Sequence, residues 1–385
     1  MFKKTLAGLA VAGLFSGAAM AADVNVYGVV DLGLMYNHTK QDVLSADGVS
    51  ADKDNSFTMK SGQNAGSRFG LRGSEDLGNG LTVSFKLENG FDADSGKLGN
   101  DGRLFGREAQ VTLAGAFGQV SFGRMGGVAS AAGTYDYVFA NGDAFDGFDN
   151  SVGALVTSSR YDNMITYQTP EFGGMKVLAQ YSFKNETVKT DIGSEGKSDT
   201  NRYASLAAVG QYGNLNLVAA YELQNFARED GKVQPDDQHT FYVGGNYDFG
   251  VTKVFGMAQH FAGARSLNGF DVARDTVDDG KTDASDGFRG WGATIGAQTP
   301  VAGGLLTTAF YYVDATVEGK ITNSAYETVG EADYNYYGLA ARYEYSLSKR
   351  TTAYAGAGYA KEKVENEGKM DADLVQAYVG LKHTF

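Results

Sequence analysis

Histidine and cysteine most often supply the base or the nucleophile of an enzyme, and this sequence offers few of them. It has no cysteine and four histidines. Three of the histidines lie in or next to polar segments expected to be loops, and the fourth lies on the apolar side of the last strand-like segment. No nucleophile pairs with any of them, so no enzyme active site is predicted. The histidines are His38, His239, His260 and His383.

Clustered carboxylates are the second group with potential chemistry, because oxygen ligands bind divalent cations. Six aspartates crowd one polar segment, 263–288. A divalent cation could bridge them, but a solvated loop is the preferred interpretation, and neither a metal site nor a cofactor is predicted. Glycine pairs such as Gly126-Gly127 lack the lysine and the following helix of a phosphate-binding loop. The aspartates are Asp271, Asp275, Asp278, Asp279, Asp283 and Asp286.

The charge balance argues against nucleic acid as a partner. The formal net charge is −13, whereas binding to phosphates requires a basic surface. Acidity of this kind is typical of solvated loops.

The first 21 residues have the pattern of a signal peptide. Lys3 and Lys4 precede the short apolar run 6–15, and Ala19-Met20-Ala21 fits a cleavage site. The mature domain is therefore expected to be 22–385. No later segment approaches the ~18 consecutive apolar residues of a membrane-spanning helix. The mature chain is expected to be exported without such a helix.

Alternation with a period of two runs through the mature chain and predicts strands with one apolar and one polar face. Leu81, Val83, Phe85 and Leu87, for example, alternate with polar residues. Short turns are predicted near 75–78, 116–118, 171–174, 212–213, 248–250, 301–303 and 347–349. Long polar loops are predicted near 37–57, 92–104, 126–158, 184–201, 227–239, 263–288, 317–333 and 362–372.

Seven short turns and eight long loops separate sixteen strands, which is typical of a transmembrane β-barrel. The ~364 mature residues leave about 23 for each strand and connection, and a membrane strand needs only ~9–11. Aromatic residues near strand ends suit the girdles of such a barrel, and the alternating last strand ends in Phe385. In 253–261 and 307–313, apolar residues occupy both alternating sets of positions rather than one. This pattern leaves open a subunit interface or an inserted loop. The aromatics are Tyr36, Phe85, Tyr181, Phe183, Tyr221, Tyr247, Phe249 and Tyr345.

A series of short motifs, in this order, resembles the general diffusion porins of Gram-negative bacteria over essentially the whole mature chain. The resemblance implies an all-β fold: a 16-stranded antiparallel transmembrane β-barrel with short periplasmic turns, long outer loops and an inward-folded third loop. It also implies a homotrimer in the outer membrane, in contact with the lipid bilayer and lipopolysaccharide. The motifs are Val26-Tyr27-Gly28, 67–78, Gly106-Arg107-Glu108-Ala109, Phe117-Gly118, Phe122-Gly123-Arg124, 159–163 and Phe385.

In that family, arginines on the barrel wall face acidic residues of the third loop across a constriction. Matching positions place Arg68, Arg107 and Arg160 on the wall, and Arg72 shares the parity of Arg68. Arg160 is opposite in parity to its neighbour Tyr161, whereas Arg107 shares the parity of two apolar residues that follow it. Arg124 has an outward parity and is expected at a trimer contact instead.

The third loop is expected over about 125–158, where its aromatic residues should pack on the inner wall. Asp136, Asp143 and Asp146 are the candidates for the acidic side of the constriction. Glu171 lies in a predicted turn and is not assigned to the pore.

The resemblance implies a water-filled channel for passive diffusion of small hydrophilic solutes and ions. Opposed fixed charges across a narrow gap would set up a transverse field that favours polar solutes. The wall arginines favour anions and the acidic loops favour cations, so the ion preference stays open. A substrate-specific channel or a surface adhesin on the same barrel is the alternative. A sugar path would need aromatic residues on the lumen side, where the parity places Tyr27, Tyr242, Tyr336 and Tyr378.

Overall fold

The computed structural model describes residues 23–45, 48–131, 133–147, 152–188, 193–197, 199–227, 236–272, 286–322, 327–366 and 368–385. The predicted signal peptide, 1–21, and four of the six clustered aspartates (Asp275, Asp278, Asp279 and Asp283) lie outside the described residues. Among the described residues, no helix is both long and apolar enough to cross a membrane. Nor do these residues contain a group of three or more side chains that could hold a metal ion.

The described residues form nineteen strand segments in one antiparallel sheet, together with one short helix, α1 (Val138–Gly142). The strands are β1 (Asp23–Ser45), β2 (Gly48–Ser61), β3 (Arg68–Gly78), β4 (Leu81–Gly90), β5 (Glu108–Gly115), β6 (Gly118–Gly126), β7 (Arg160–Gln168), β8 (Met175–Ser182), β9 (Arg202–Tyr212), β10 (Leu215–Asn225), β11 (Gln238–Asp248), β12 (Lys253–Ala264), β13 (Ser266–Leu267), β14 (Phe270–Val272), β15 (Gly287–Val301), β16 (Gly304–Thr322), β17 (Glu327–Ser346), β18 (Thr351–Glu365) and β19 (Lys369–Thr384).

The sheet closes on itself as a sixteen-stranded barrel. The last strand, β19, pairs with β1 from Val29 opposite Thr384 to Leu44 opposite Lys369. Two of the segments, β2 and β3, share one barrel position, because both pair with β1 at different heights. The short β13 and β14 form a hairpin within a connection. Closure leaves the sheet without free edges along its length, which is how a barrel satisfies its backbone hydrogen bonds.

The alternation that predicts the strands also decides which side chains face outward. On β11, Phe241 is 53% exposed and Val243 is 62% exposed, while Tyr242 between them is 3% exposed. The same pattern exposes Trp291 and Ile295 on β15. The exposed apolar residues form the outer surface of a barrel whose solvent is lipid.

Six of the seven predicted turns lie where neighbouring strands connect at one end of the barrel, whereas the one predicted near 75–78 falls inside β3, and the chain turns just after it. The turn between β3 and β4 is Asn79-Gly80, where both residues have positive φ angles. Asparagine and glycine adopt this conformation readily, which makes the pair a preferred two-residue hairpin turn. The turn before β8 contains Glu171, as the sequence predicted.

Three of the predicted long loops are wrong. Segments 37–57, 317–333 and 362–372 continue as antiparallel hairpins, so that β1–β2, β16–β17 and β18–β19 extend well beyond the alternating region. In these extensions polar residues stand at consecutive positions, for instance Lys361, Glu362 and Lys363 of β18, although Val364 and Met370 are buried. The scattered apolar residues no longer alternate regularly with polar ones, so the period-two pattern is interrupted although the backbone ladder continues.

Candidate functional site

The connection between β6 and β7 folds against the inner face of the barrel. We call residues 127–159 loop 3; they are described except for 132 and 148–151. Helix α1 contacts β10, β11 and β12, and Phe139 of this helix is 2% exposed. The Asn246 side-chain amide donates a hydrogen bond to the Asn141 carbonyl at 2.8 Å. The first half of loop 3 therefore docks on apolar, inward-facing residues, which include Val218, Tyr242 and Met257.

The second half of loop 3 continues along the inner face of β15 to β18. Phe145 and Val152 are buried there. The Gln298 amide donates to the Ala144 carbonyl at 2.7 Å. We call the inner faces of β9–β12 and β15–β18 beneath loop 3 the covered wall. Its apolar members next to Phe145 and Val152 include Phe261, Ala309, Tyr311, Val313, Tyr336 and Ala340.

The covered wall explains the two segments in which both parities are apolar. In β12 (within 253–261) and β16 (within 307–313), every second side chain faces the outside of the barrel, and the side chains between them pack against loop 3. Both sets are therefore apolar. Of the two explanations that the sequence left open, the described residues favour the inserted loop.

The predicted acidic residues of loop 3 differ in their surroundings. Asp143 is 2% exposed and accepts hydrogen bonds from the Gly147 amide at 2.8 Å and the Tyr311 hydroxyl at 3.0 Å. Asp136 is also buried, and its carboxyl lies beside that of Asp146. Asp146 alone among the three is exposed.

Asp136 and Asp146 lie close enough to share a proton. Exclusion of bulk water by the surrounding protein, followed by repulsion from Asp146, raises the pKa of Asp136. Exclusion of water also raises the pKa of Asp146 to about 6, and repulsion from Asp143 acts in the same direction. Because two close carboxylates resist simultaneous ionisation, this pair takes up a proton in mildly acidic water.

A second inner region is charged and lies on β3, β4 and the start of β5. Glu88 is its centre. The Arg107 Nε donates to Glu88 Oε1 at 2.6 Å, and the Tyr27 hydroxyl donates to Oε2 at 2.8 Å. The Arg68 Nε and the Lys86 Nζ lie 3.8 Å and 3.7 Å from Oε2. We call Arg68, Arg72, Lys86, Glu88, Arg107, Glu108 and Arg160 the charged wall.

Glu108 connects the charged wall to the beginning of loop 3. Its carboxylate is fully buried and accepts hydrogen bonds from the Thr134 amide at 2.7 Å and the Thr134 hydroxyl at 3.0 Å. Lys86 forms an ion pair with the same carboxylate. The charges of the wall and the start of the loop are thus held in one network.

Arg72 lies four residues after Arg68 on β3, on the same side of the strand, and lines a polar cavity. Its guanidinium stacks 5.0 Å from the centre of the Tyr27 ring, which approaches so closely because Gly70 has no side chain in its way. The cavity measures about 390 Å³ and is also lined by Lys86, Gln110, Thr112 and Tyr135. A cavity with cationic and hydrogen-bonding walls can hold a small anion.

The comparisons with known proteins agree with this architecture. A family model described as Gram-negative porin matches residues 8–385. The chain is 33% identical to an outer membrane porin protein of Bordetella pertussis and 30% identical to outer membrane porin protein 32 of Delftia acidovorans, each over the full length of both chains. A solved anion-selective porin from Comamonas acidovorans superimposes with a TM-score of 0.62 at 24% identity, covering 95% of this chain and all of the other.

The chain belongs to the Gram-negative porin family. It is an outer-membrane porin, and its sixteen-stranded barrel forms a water-filled channel for passive diffusion of small hydrophilic solutes and ions.

Arg68 and Arg107 of the porin lie together at Glu88, Arg72 lines the neighbouring cavity, and Arg160 lies within electrostatic reach of Arg107 and Glu108. Their role in a constriction remains a prediction. Arg107 precedes β5, so the alternation of that strand does not govern its direction. Within the described residues, the Arg160 Nε has no hydrogen-bond partner.

The parity comparison between Arg160 and Tyr161 was misleading. Tyr161 is not turned away from the loop; it is buried among loop 3 residues and stacks on Tyr203 with 4.1 Å between ring centres. The cause is an irregularity in the pairing of β6 and β7 between Gly123 and Met125. One extra residue on β7 shifts the alternation at this point.

Arg124 stays out of the charged wall of the porin. It shares the parity of the exposed Phe122, and its guanidinium donates to the Gly106 carbonyl at 2.8 Å and to Asp162 at 2.6 Å. Arg103 binds the same carboxylate at 3.0 Å. A trimer contact through Arg124 remains a prediction.

Sequence reasoning missed Lys86, Glu88 and Glu108 as members of the site. A signal was present for two of them, since Lys86 and Glu88 alternate with the apolar residues of β4 and therefore share its inner face. Glu108 lies opposite Glu88 on β5. The alternation identifies an inner face, but it gives no height along the pore.

Proposed function

We propose that the charged wall and loop 3 form the constriction of this porin and that the constriction prefers small anions. One observation carries the proposal. Five cationic side chains on the wall, Arg68, Arg72, Lys86, Arg107 and Arg160, lie with two carboxylates, Glu88 and Glu108, which leaves three uncompensated positive charges. A ring of cations in a narrow pore lowers the energy of an entering anion.

In this proposal the acidic side of the constriction is supplied by loop 3. Asp146 is its exposed carboxylate, Asp136 shares a proton with it, and Asp143 adds its charge from a buried position. Opposed charges across a gap with low-dielectric walls produce a transverse field, because such walls reduce screening. Polar solutes align in this field, and apolar solutes must disturb the ordered water.

Arg72 and Glu88 offer a direct test, because the expected changes have opposite signs. Among the described residues Arg72 has no carboxylate partner, so Arg72→Gln should lower the chloride-over-potassium permeability ratio about twofold. Glu88→Gln should raise this ratio, since it removes a negative charge from the same wall. The measurement is the reversal potential of single channels in a potassium chloride gradient. Changes of the same sign in both variants would contradict an electrostatic constriction.

A substrate-specific sugar channel is the less favoured function. Of the four aromatic residues that the sequence places on the lumen parity, Tyr242, Tyr336 and Tyr378 are buried. Few ring faces are therefore left for sugar stacking. Liposome swelling with sugars of increasing size should give a smooth size dependence, whereas saturation with one sugar would favour a specific channel. An adhesin role would not exclude a pore.

We further propose a homotrimer in contact with lipopolysaccharide, with no enzymatic activity. Membership of the family supports the trimer, and the relatives named above are porins. Mobility in mild detergent before and after heating measures the assembled state; migration as a monomer before heating would contradict the trimer.

A further inference from the structure

Residues 62–67, between β2 and β3, do not follow the barrel sheet. Ser61 pairs with Leu32 of β1, and Arg68 pairs with Val29. Six residues therefore stand opposite only two, Val30 and Asp31, and the surplus must leave the plane of the sheet. We call residues 62–67 the inner bend.

The inner bend leaves the sheet toward the lumen, because it is bound by a side chain that points inward. Asp31 has the same parity as Tyr27, whose hydroxyl joins the charged wall. The Asp31 carboxylate accepts hydrogen bonds from the Asn64 amide at 3.0 Å and the Ala65 amide at 2.6 Å, both at Oδ2. The Tyr354 hydroxyl of β18 donates to Oδ1. All of these atoms lie on the inner side of the barrel.

Further contacts attach the bend at both ends. The Ser67 hydroxyl accepts from the Asp31 amide at 3.0 Å and donates to the Asp31 carbonyl at 3.1 Å. The Asn64 side-chain amide reaches across to Glu344 of β17 at 2.6 Å. Asp31 is 0% exposed, so it is a fully enclosed carboxylate whose side-chain contacts are mainly with the bend.

The bend holds a pore arginine directly. The Arg68 Nη1 donates to the Gly66 carbonyl at 2.8 Å, and this contact leaves the Arg68 Nε 3.8 Å from Glu88. Without it, the guanidinium is free to close on Glu88, where its charge would be compensated.

We propose that Asp31 is a positioning residue for ion selection: it fixes the inner bend on the lumen wall, and the bend in turn keeps Arg68 available to passing anions. This inference rests on the proposed function, in which Arg68 contributes to anion preference. Asp31 itself touches no solute.

The direction in which anion preference changes after substitution of Asp31 distinguishes a positioning role from a direct effect of its charge. Removal of a lumen-side carboxylate by itself should raise the preference for anions. Loss of the bend's support should lower this preference, because Arg68 becomes compensated by Glu88. Asp31→Asn keeps an oxygen for the two amides and an amide group for Tyr354, so it removes charge and preserves the support. Asp31→Ala removes both.

The test compares reversal potentials of the folded porin in planar bilayers for Asp31→Ala, Asp31→Asn, Arg68→Gln and the double variant Asp31→Ala/Arg68→Gln. We expect Asp31→Ala to lower the chloride-over-potassium ratio about twofold and Asp31→Asn to leave it equal or higher. In the Arg68→Gln background, Asp31→Ala should cause no further decrease. Asp162→Ala is the matched control, since it removes a buried carboxylate that binds Arg103 and Arg124 and has no contact with the inner bend; its ratio should not fall.

Two results would overturn the inference while the proposed function stands: an Asp31→Ala ratio that rises or is unchanged, or one that falls equally with and without Arg68. An unchanged ratio in Arg68→Gln alone would contradict the proposed role of Arg68 and this inference with it. If Asp31→Ala fails to assemble, Ser67→Ala loosens the same bend without altering charge. It should lower the ratio in the same direction, and an unchanged ratio would equally refute the positioning role.

Discussion

The two halves of the inner surface differ in what they face. The charged wall carries arginines, a lysine and glutamates, and it borders a polar cavity of about 390 Å³. The covered wall carries alanines, tyrosines, valines and methionines and meets the apolar side of loop 3. Both belong to the same barrel with the same backbone geometry. The polarity of an inner face therefore depends on what lies next to it, which is the aqueous lumen at the charged wall and loop 3 at the covered wall.

The difference also explains how one chain narrows its pore. Phe139 and Phe145 bury themselves on the covered wall, so the loop is held to one side by apolar contacts. The free space is left beside the charged wall. The charged wall thus selects ions, and the covered wall holds loop 3 in place. Substitutions in the first should change selectivity, and substitutions in the second should change stability or conductance.

The largest expected effect comes from a charge placed under the loop. Ala309→Asp puts an unpaired carboxylate at a buried position of the covered wall, at a cost of about 3–5 kcal/mol. We expect little folded porin in outer-membrane fractions, measured by heat-modifiable mobility. Ser84→Asp, on the inner face beside Lys86, should assemble normally because it meets water and cations. Equal yields for the two variants would contradict the division into two halves.

A smaller effect is expected when loop 3 loses an apolar contact. Phe139→Ala removes a buried ring and should weaken docking of the loop by about 3–5 kcal/mol. Single-channel conductance and current noise should both rise as the loop leaves the covered wall. Phe241→Ala is the control, since this phenylalanine lies on the outer face of β11 and is exposed. Conductance that is unchanged in Phe139→Ala would show that the loop does not narrow the pore.

The smallest expected effect is a pH dependence of selectivity. The pKa of Asp146 is raised to about 6 and that of Asp136 is also raised, so the pair binds a proton as the pH falls through this range. The loop then loses negative charge, and the preference for anions should increase between pH 7.5 and 5. Asp146→Asn should remove this step, while Asp248→Asn at the exposed end of β11 should keep it. A step that persists in Asp146→Asn would assign the titration to another group.

Much of the fold follows from the sequence, because a membrane barrel imposes a period of two on every segment in contact with lipid. Residues 81–87 and 375–385 show this pattern fully, and the turn at Asn79-Gly80 shows the residues that its backbone needs. The hairpin extensions at 37–57, 317–333 and 362–372 were missed for the same reason. In these extensions polar residues stand at consecutive positions and only scattered apolar residues such as Val317, Val364 and Met370 are buried, so backbone pairing leaves little trace in the hydropathy.

The site could be predicted only in part. The alternation of β3 places Arg68 and Arg72 on an inner face. Arg107, however, precedes β5, so the alternation of that strand does not give its direction, and an extra residue in β7 changes the direction in which Tyr161 points. The inner bend at 62–67 depends on the register of β2 and β3 against β1. Register is set by cross-strand packing of the whole barrel, which a single segment does not reveal.

The central claim is that the charged wall, rather than the covered wall, decides which ions pass. Reversal potentials in a potassium chloride gradient test it most directly with Arg68→Gln/Arg160→Gln compared with Arg342→Gln. Arg342 is an arginine of the covered half, buried against the Phe145 ring at 4.9 Å. We predict that the double variant loses most of its preference for chloride and that Arg342→Gln keeps it. A loss of equal size in Arg342→Gln, or no loss in the double variant, would contradict the account.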